Sequence, residues 1–136
     1  MTDINPHAEF GLKLNFFKLI VKDMGGMVAF YRAAFGFEVR QRIDLPGIEE
    51  IMMMLPDQTF NLVLYRWTDG RDIVVGNGHG PIGLLTNDVD GSCAHAAANG
   101  ADIEREPFDL ANLRIAFLKD PEGHEIELIC FKTQNK

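Results

Sequence analysis

Apolar and polar residues follow two rhythms along this chain, and both come round twice. Residues 12–21 alternate: Phe17, Leu19 and Val21 point one way, and Leu14, Phe16, Lys18 and Ile20 the other, the two-residue period of a strand. From Asp23 the period lengthens. Met27, Phe30, Tyr31 and Ala34 fall at i, i+3, i+4 and i+7, which predicts a helix capped by Asp23 and stopped by Gly36. Residues 37–44, 50–55 and 60–67 return to strand patterning, the first two joined around Pro46-Gly47. Residues 68–80 then interrupt it with Asp69, Gly70, Asp72, Gly76, Asn77, Gly78 and Gly80, the composition of an exposed loop or linker.

After the linker the rhythm restarts. Residues 81–85 read as a strand, and Asp88 or Asp90 caps a second helix with the stripe Val89, Cys93, Ala96 and Ala97, ended by Gly100. A short strand is expected near 102–105 and a clearer one at 113–118. Asp120-Pro121-Glu122-Gly123 then forms a tight turn, because Pro presets one turn dihedral and Gly tolerates positive φ. Residues 124–131 return as the last strand, and 132–136 read as a frayed tail. Asp23 and Asp88, Gly36 and Gly100, and Leu62-Val63-Leu64 and Ile126-Glu127-Leu128 correspond at an offset of about 64 residues.

The fold class expected is therefore α+β: residues 1–136 as a single domain, with a βαβββ module at 12–67, a linker at 68–80 and a second module at 81–131. A unit built twice puts its working site at the seam between copies.

Composition narrows the partners. A formal charge of −7 and the lack of any Lys/Arg cluster argue against nucleic acid, whose phosphates demand concentrated positive charge. Hydrophobic residues at 46% and charged residues at 24% suit a folded globule rather than a disordered chain. Cys93 and Cys130 sit among apolar neighbours and read as small buried hydrophobes, neither a disulfide framework nor a zinc motif. Residues 1–10 carry Asp3, Pro6, His7 and Glu9 and do not read as a secretory signal. No apolar run is long enough to span a membrane, so no membrane partner is expected and the cytoplasm is the default location.

The element order, the two Asp-capped helices, Val21-Lys22-Asp23, Phe30-Tyr31 before Gly36, and the closing Asp120-Pro121-Glu122-Gly123-His124-Glu125-Ile126-Glu127-Leu128 resemble the vicinal oxygen chelate superfamily. That group includes glyoxalase I, extradiol dioxygenases, fosfomycin-resistance enzymes and bleomycin-resistance proteins. The resemblance runs over residues 12–131. It implies that each module curls into half of a curved open barrel around a central hollow, with helices outside and the ligand inside. It further implies, for metal-dependent members, one ligand on the first and one on the last strand of each module.

Matched one at a time, those corner positions hold Phe16, Val63, Pro81 and Glu127. The first three side chains offer no lone pair, and one carboxylate cannot fill a site needing three or four protein ligands. No cofactor and no standard metal centre are expected. His79 shares the parity of Pro81 and is the best substitute, although it lies in the Gly-rich loop.

The same parity lines the hollow with Phe16, Lys18, Val63, Tyr65, Pro81, Gly83, Leu85, Glu125 and Glu127, with Met52 and Met54 on one face of the third strand and Met53 on the other. A mostly apolar wall with a few polar groups suits a small molecule, and methionines adapt to irregular ligands; Met and Phe are equally ordinary core filler. Glu127, flanked by Ile126 and Leu128 facing the helices, should enter the hollow. There it is a candidate general base, since desolvation raises a carboxylate pKa, or a structural charge paired with Lys18 or Arg114. Tyr65 and Trp67 could stack on a planar ligand at the rim. His95 reads as an exposed or partly covered helix residue and His124 as a solvated hairpin residue.

Three functions fit these residues. One is a metal-free small-molecule binder, like the resistance proteins, working as a homodimer. Another is a superfamily enzyme of lyase, isomerase or dioxygenase type, using Glu127 as base or an irregular His79/Glu127 metal site. The third is a fold kept for protein interaction alone.

Overall fold

A computed structural model describes residues 3–132. Its elements run α1 (Pro6–Phe10), β1 (Phe16–Ile20), α2 (Met24–Phe35), β2 (Glu38–Leu45), β3 (Ile48–Met54) and β4 (Asn61–Trp67). They continue as β5 (Ile82–Leu85), α3 (Val89–Ala98), β6 (Asp102–Leu110), β7 (Leu113–Lys119) and β8 (Glu125–Phe131). The strands form two open, curved four-stranded sheets, ordered β1-β4-β3-β2 and β5-β8-β7-β6. In each, the first strand pairs parallel with the last while the other pairs are antiparallel. The α+β fold of two βαβββ units is thus as the sequence predicts.

The repeat extends to the helix caps. Asp23 accepts the N–H of Gly26 at 3.0 Å, and Asp88 accepts that of Gly91 at 2.9 Å, each saving a donor that the first helical turn would leave unpaired. A Cβ on either glycine would collide with the capping carboxylate, so the pairing of Asp with Gly three residues later is a steric fit. Asp88, not Asp90, is the cap; Asp90 binds Arg114 instead. Gly36 closes α2 at φ 83°, where the N–H groups beyond the helix end fold back onto its last carbonyls.

One hydrophobic core serves both units. Leu19, Leu62, Leu64, Ile51 and Met53 of the first sheet join Ala116, Leu118, Ile126 and Leu128 of the second around Met27, Phe30, Tyr31 and Cys93 of the helices. This apolar layer covers only one face of each sheet. Val63 and Ile115 are buried too but stand outside that cluster, on the opposite, helix-free face.

Several local expectations fail, each for a physical reason. The first strand begins at Phe16, not at residue 12; Leu12 and Leu14 have strand-like spacing but no partner strand, and stay exposed. Residues 6–10 instead form the short helix α1, capped by Asn5 through Ala8 N–H and stopped by Gly11 at φ 63°. The strand expected at 102–105 continues to Leu110, because register shifts after Ile103 and Arg105 let the ladder run past Pro107. Pro81 lies just outside β5. Lys132 is not frayed: its N–H reaches the carbonyl of Asn112 at 2.7 Å and its ammonium pairs with Asp109, while 133–136 lie outside the described residues. Among the described residues, no helix is long and apolar enough to cross a membrane.

Candidate functional site

Ladder registers place the chemistry-bearing side chains in rows across the helix-free faces. On the first sheet, one row runs Lys18–Val63–Met52–Gln41, and the next Ile20–Tyr65–Glu50–Ile43. Met52 and Met54 are half-buried on this face, whereas Met53 points into the core and is fully buried. Lys18 Nζ lies 3.2 Å from Glu50 Oε1 and over the rings of Tyr65 and Phe16, 5.1 and 5.6 Å from their centroids. The carboxylate of Glu50 is nearly buried, so the Coulomb attraction between the two is little screened by water. Trp67 packs edge-on to Tyr65 at 5.5 Å and carries Arg71 over its own face at 4.6 Å. Neither Glu50 nor this ion pair is foreseen from sequence. The adjacent carboxylates Glu49 and Glu50 on β3 were the available signal, since strand alternation sends one of the two to each face of the sheet.

On the second sheet the corresponding rows are Gly83–Glu127–Phe117–Arg105 and Leu85–Ile129–Ile115–Phe108. Glu127 is half-buried between Ile126 and Leu128, which point the other way into the core. Phe108 stacks on Phe117 at 6.3 Å, and the Arg105 guanidinium sits over Phe108 at 3.7 Å. Glu125 faces Lys119 across the ladder and is half-buried, while Leu85 is 70% exposed.

Glu127 takes neither of the partners considered for it. Lys18 is held by Glu50, and Arg114 lies on the helix side of the sheet, where Asp90 and Asp109 bind it at 2.8 and 3.1 Å. Among the described residues Glu127 enters no ion pair.

Phe16, Pro81 and Gly83 do come together, along a cleft of about 490 Å3 between the edge strands β1 and β5. Phe17, Phe60 and His79 complete its apolar wall. Phe17 is assigned to the core face by strand alternation, yet at the sheet edge it remains 38% exposed and meets the His79 ring at 5.5 Å. A larger cleft of about 680 Å3 lies between α2 and α3, walled by Ala33, Ala34, Gly91, Ser92 and His95. The smaller cleft is the better candidate: its lining is aromatic and draws on the edge strands of both sheets, whereas the larger is walled mainly by α2 and α3 with Leu84, Leu85 and Leu128 of the second sheet.

The four corner positions fail a test of donor chemistry. Phe16, Val63 and Pro81 bear no atom that can coordinate a cation, and among the described residues no three His, Cys, Asp or Glu side chains lie close enough to share one. His79 points its Nδ1 at the carbonyl of Gly80, 2.9 Å away, and packs on Phe17. A standard metal centre does not fit these residues.

His124 departs furthest from expectation. It is not solvated but 4% exposed, with Nδ1 2.8 Å from Asp120 Oδ2 and Nε2 2.9 Å from the carbonyl of Ile20. The tight turn folds its side chain inward, beneath the end of β1. His95 is exposed, as expected, and its Nε2 lies 2.8 Å from the Ala33 carbonyl on α2.

Comparison with known proteins bears on the whole arrangement. A family model described as Glyoxalase/Bleomycin resistance protein/Dioxygenase superfamily matches residues 13–128. The chain is 31% identical over 117 residues to a probable lactoylglutathione lyase of Synechocystis sp., covering 80% of this chain and 88% of that one. It superposes on the crystal structure of glyoxalase I from Zea mays with a TM-score of 0.76 at 26% identity, over 85% of this chain and 44% of that one. A glyoxalase family protein from Bacillus cereus gives a TM-score of 0.79 at 18% identity, over 90% and 95% of the two chains, a likeness of fold alone. The chain spans less than half the length of the maize protein, and 41% of two plant curated relatives.

Proposed function

The chain belongs to the Glyoxalase/Bleomycin resistance protein/Dioxygenase superfamily, and from that premise we propose that it binds a small organic molecule without a standard metal centre. The observation that carries this reading is the chemistry of the corners: Phe16, Val63 and Pro81 stand where a cation would need donors. What the site offers instead is aromatic wall and paired charge. Phe16, Pro81, Gly83 and Phe60 supply apolar surface at the cleft, and Lys18, Tyr65, Met52 and Met54 line the face beside it. Leu85, Glu125 and Glu127 form the matching face of the second sheet. Mostly apolar walls with few polar groups favour a planar or aromatic ligand bearing one charged group.

The protein acts as a cytoplasmic homodimer in this reading. Part of each sheet's helix-free face stays uncovered in the single chain, with Phe16, Leu85 and Phe131 each at least half exposed. A second copy would cover that apolar surface and turn two half-sites into enclosed ones.

A second reading has its own support: relatives of about 30% identity carry the name lactoylglutathione lyase. In it the chain is an enzyme of that superfamily, with Glu127 as the base or with His79 and Glu127 at an irregular metal site.

One set of measurements separates them. The protein is purified, its metal content determined after dialysis, and its thermal unfolding followed against a panel of aromatic and charged compounds, with lactoylglutathione lyase activity assayed with and without added divalent ions. Binding raises the melting temperature in proportion to the logarithm of ligand concentration, with no stoichiometric metal and no turnover. Stoichiometric metal, or turnover lost in Glu127→Gln or His79→Ala, establishes the enzyme reading instead. No response to ion or compound leaves a fold kept for protein interaction.

A further inference from the structure

The turn between β7 and β8 does more than reverse the chain. Asp120 is 1% exposed, and its carboxylate accepts from Tyr31 Oη at 2.7 Å and from the backbone N–H groups of Glu122 and His124 at 2.9 and 3.0 Å. His124 adds Nδ1 to the same carboxylate and turns Nε2 onto the Ile20 carbonyl. A carboxylate that already collects three donors is ionised, and a backbone carbonyl has no proton to give. Both partners of the ring are therefore acceptors. A neutral imidazole donates from only one nitrogen, so satisfying both requires the imidazolium.

The two bonds join particular pieces of chain. Ile20 ends β1, two residues after Lys18; His124 immediately precedes β8, which carries Glu125 and Glu127. The charged groups around the ring come from every neighbour packed against it. Asp120 and Glu122 belong to the turn, Tyr31 to α2, and Lys22 and Asp23 to the connection after β1, where Glu122 accepts their N–H groups at 2.7 and 2.8 Å. The nearest of these, Asp120, is negative, and the cation Lys22 is exposed at the surface.

We infer that His124 is a proton-operated bolt between the two βαβββ units, closed when both ring nitrogens carry hydrogen and opened at Ile20 when one is lost. The remaining hydrogen stays on the nitrogen facing Asp120, because a bond to a charged acceptor is the stronger of the two. Opening removes one bond between β1 and the start of β8, while the shared core and the bonds of Glu122 to Lys22 and Asp23 remain, and loosens the placement of one candidate half-site against the other. None of this depends on a ligand being bound.

Burial alone would lower the pKa of His124. The hydrogen bond and charge of Asp120, with the Ile20 carbonyl, outweigh it and hold the pKa above the ordinary imidazole value. The bolt is thus fully closed below the unfolded-chain value of about 6.5 and opens as pH rises through the raised one.

The test uses the full chain labelled with 15N. Long-range proton–nitrogen spectra from pH 5 to 9 report the state of each imidazole, with His7, His79 and His95 as internal controls. Both nitrogens of His124 are expected to be protonated at the acid end of this range, with a midpoint above about 6.5. Across that midpoint, amide exchange at Lys22 and Asp23 should quicken by about tenfold beyond the base-catalysed rise seen in interior α2 amides, the effect of losing one charge-assisted hydrogen bond. His124→Gln should remove the inflection. A midpoint at or below about 6.5 overturns the inference, and so does a titrating ring with no excess exchange. Both readings come from the unmutated chain, so neither needs the variant to fold.

Discussion

The carboxylate of Glu122 accepts the backbone N–H of Asp23 at 2.8 Å with one oxygen and that of Lys22 at 2.7 Å with the other, tying the second hairpin to the start of α2. A negative charge at this point also opposes the positive end of the α2 dipole. Because the contact is at the surface, Glu122→Ala should cost about 1 kcal/mol, and Glu122→Gln less, since the amide keeps one acceptor oxygen. Urea-unfolding midpoints of the two variants check the order. Equal, negligible losses would mean that the two units are held by the core alone.

Beneath that clamp, Tyr31 and Asp120 are both buried. Tyr31→Phe removes one donor from a buried carboxylate and should cost about 1–3 kcal/mol; Asp120→Ala leaves the His124 cation without its counter-charge and should cost about 3–5 kcal/mol. Burial by itself would raise the Asp120 pKa, but hydrogen bonds from His124 and Tyr31 reverse this and hold it below the usual carboxylate value. Its contribution is therefore present above the unfolded-chain pKa of about 3.9 and is lost as pH falls through the depressed folded value. Acid unfolding of the wild type, compared with Asp120→Asn, should show a limb that the variant lacks.

The three consecutive methionines of β3 separate two roles. Met53 is fully buried in the core, so Met53→Ala should cost about 2–5 kcal/mol. Met52 is half-buried beside Val63 on the helix-free face, so Met52→Ala should cost less stability and change ligand affinity more. Paired denaturation and binding measurements decide this. A Met52→Ala loss as large as that of Met53→Ala would make the helix-free face structural.

Lys18 and Glu50 form a pair whose members are unequally exposed, 39% and 11% at the side chain. Lys18→Met strands a nearly buried carboxylate, whereas Glu50→Gln leaves a lysine that can turn to water. The first should therefore destabilise more, and the double variant should recover part of its loss. A double-mutant cycle on chemical denaturation reads the coupling. Strict additivity would show that the two do not interact in solution.

Much of the architecture was legible because it is local. Asp23 and Asp88 announce their helices by cap chemistry, Gly36 by the left-handed conformation that ends α2, and Asp120-Pro121-Glu122-Gly123 by turn geometry. Alternation likewise told Met53 from Met52, and Glu127 from Ile126 and Leu128. Alternation misled at the edges. Phe17 has core parity but lies on an edge strand with a neighbour on one side only, and Leu12 and Leu14 have strand spacing without a partner.

By itself the sequence determined two copies of βαβββ and the faces of their strands, since period and capping depend on nearby residues alone; that Phe16, Val63 and Pro81 stand at ligand corners came from the resemblance to the superfamily. Tertiary structure decided who meets whom. Lys18 finds Glu50 rather than Glu127, Arg114 finds Asp90 and Asp109, and a histidine that reads as a solvated turn residue is drawn under β1. These pairings join residues up to about a hundred positions apart, and only strand pairing within each sheet and the packing of the two units around one core bring them within hydrogen-bond distance.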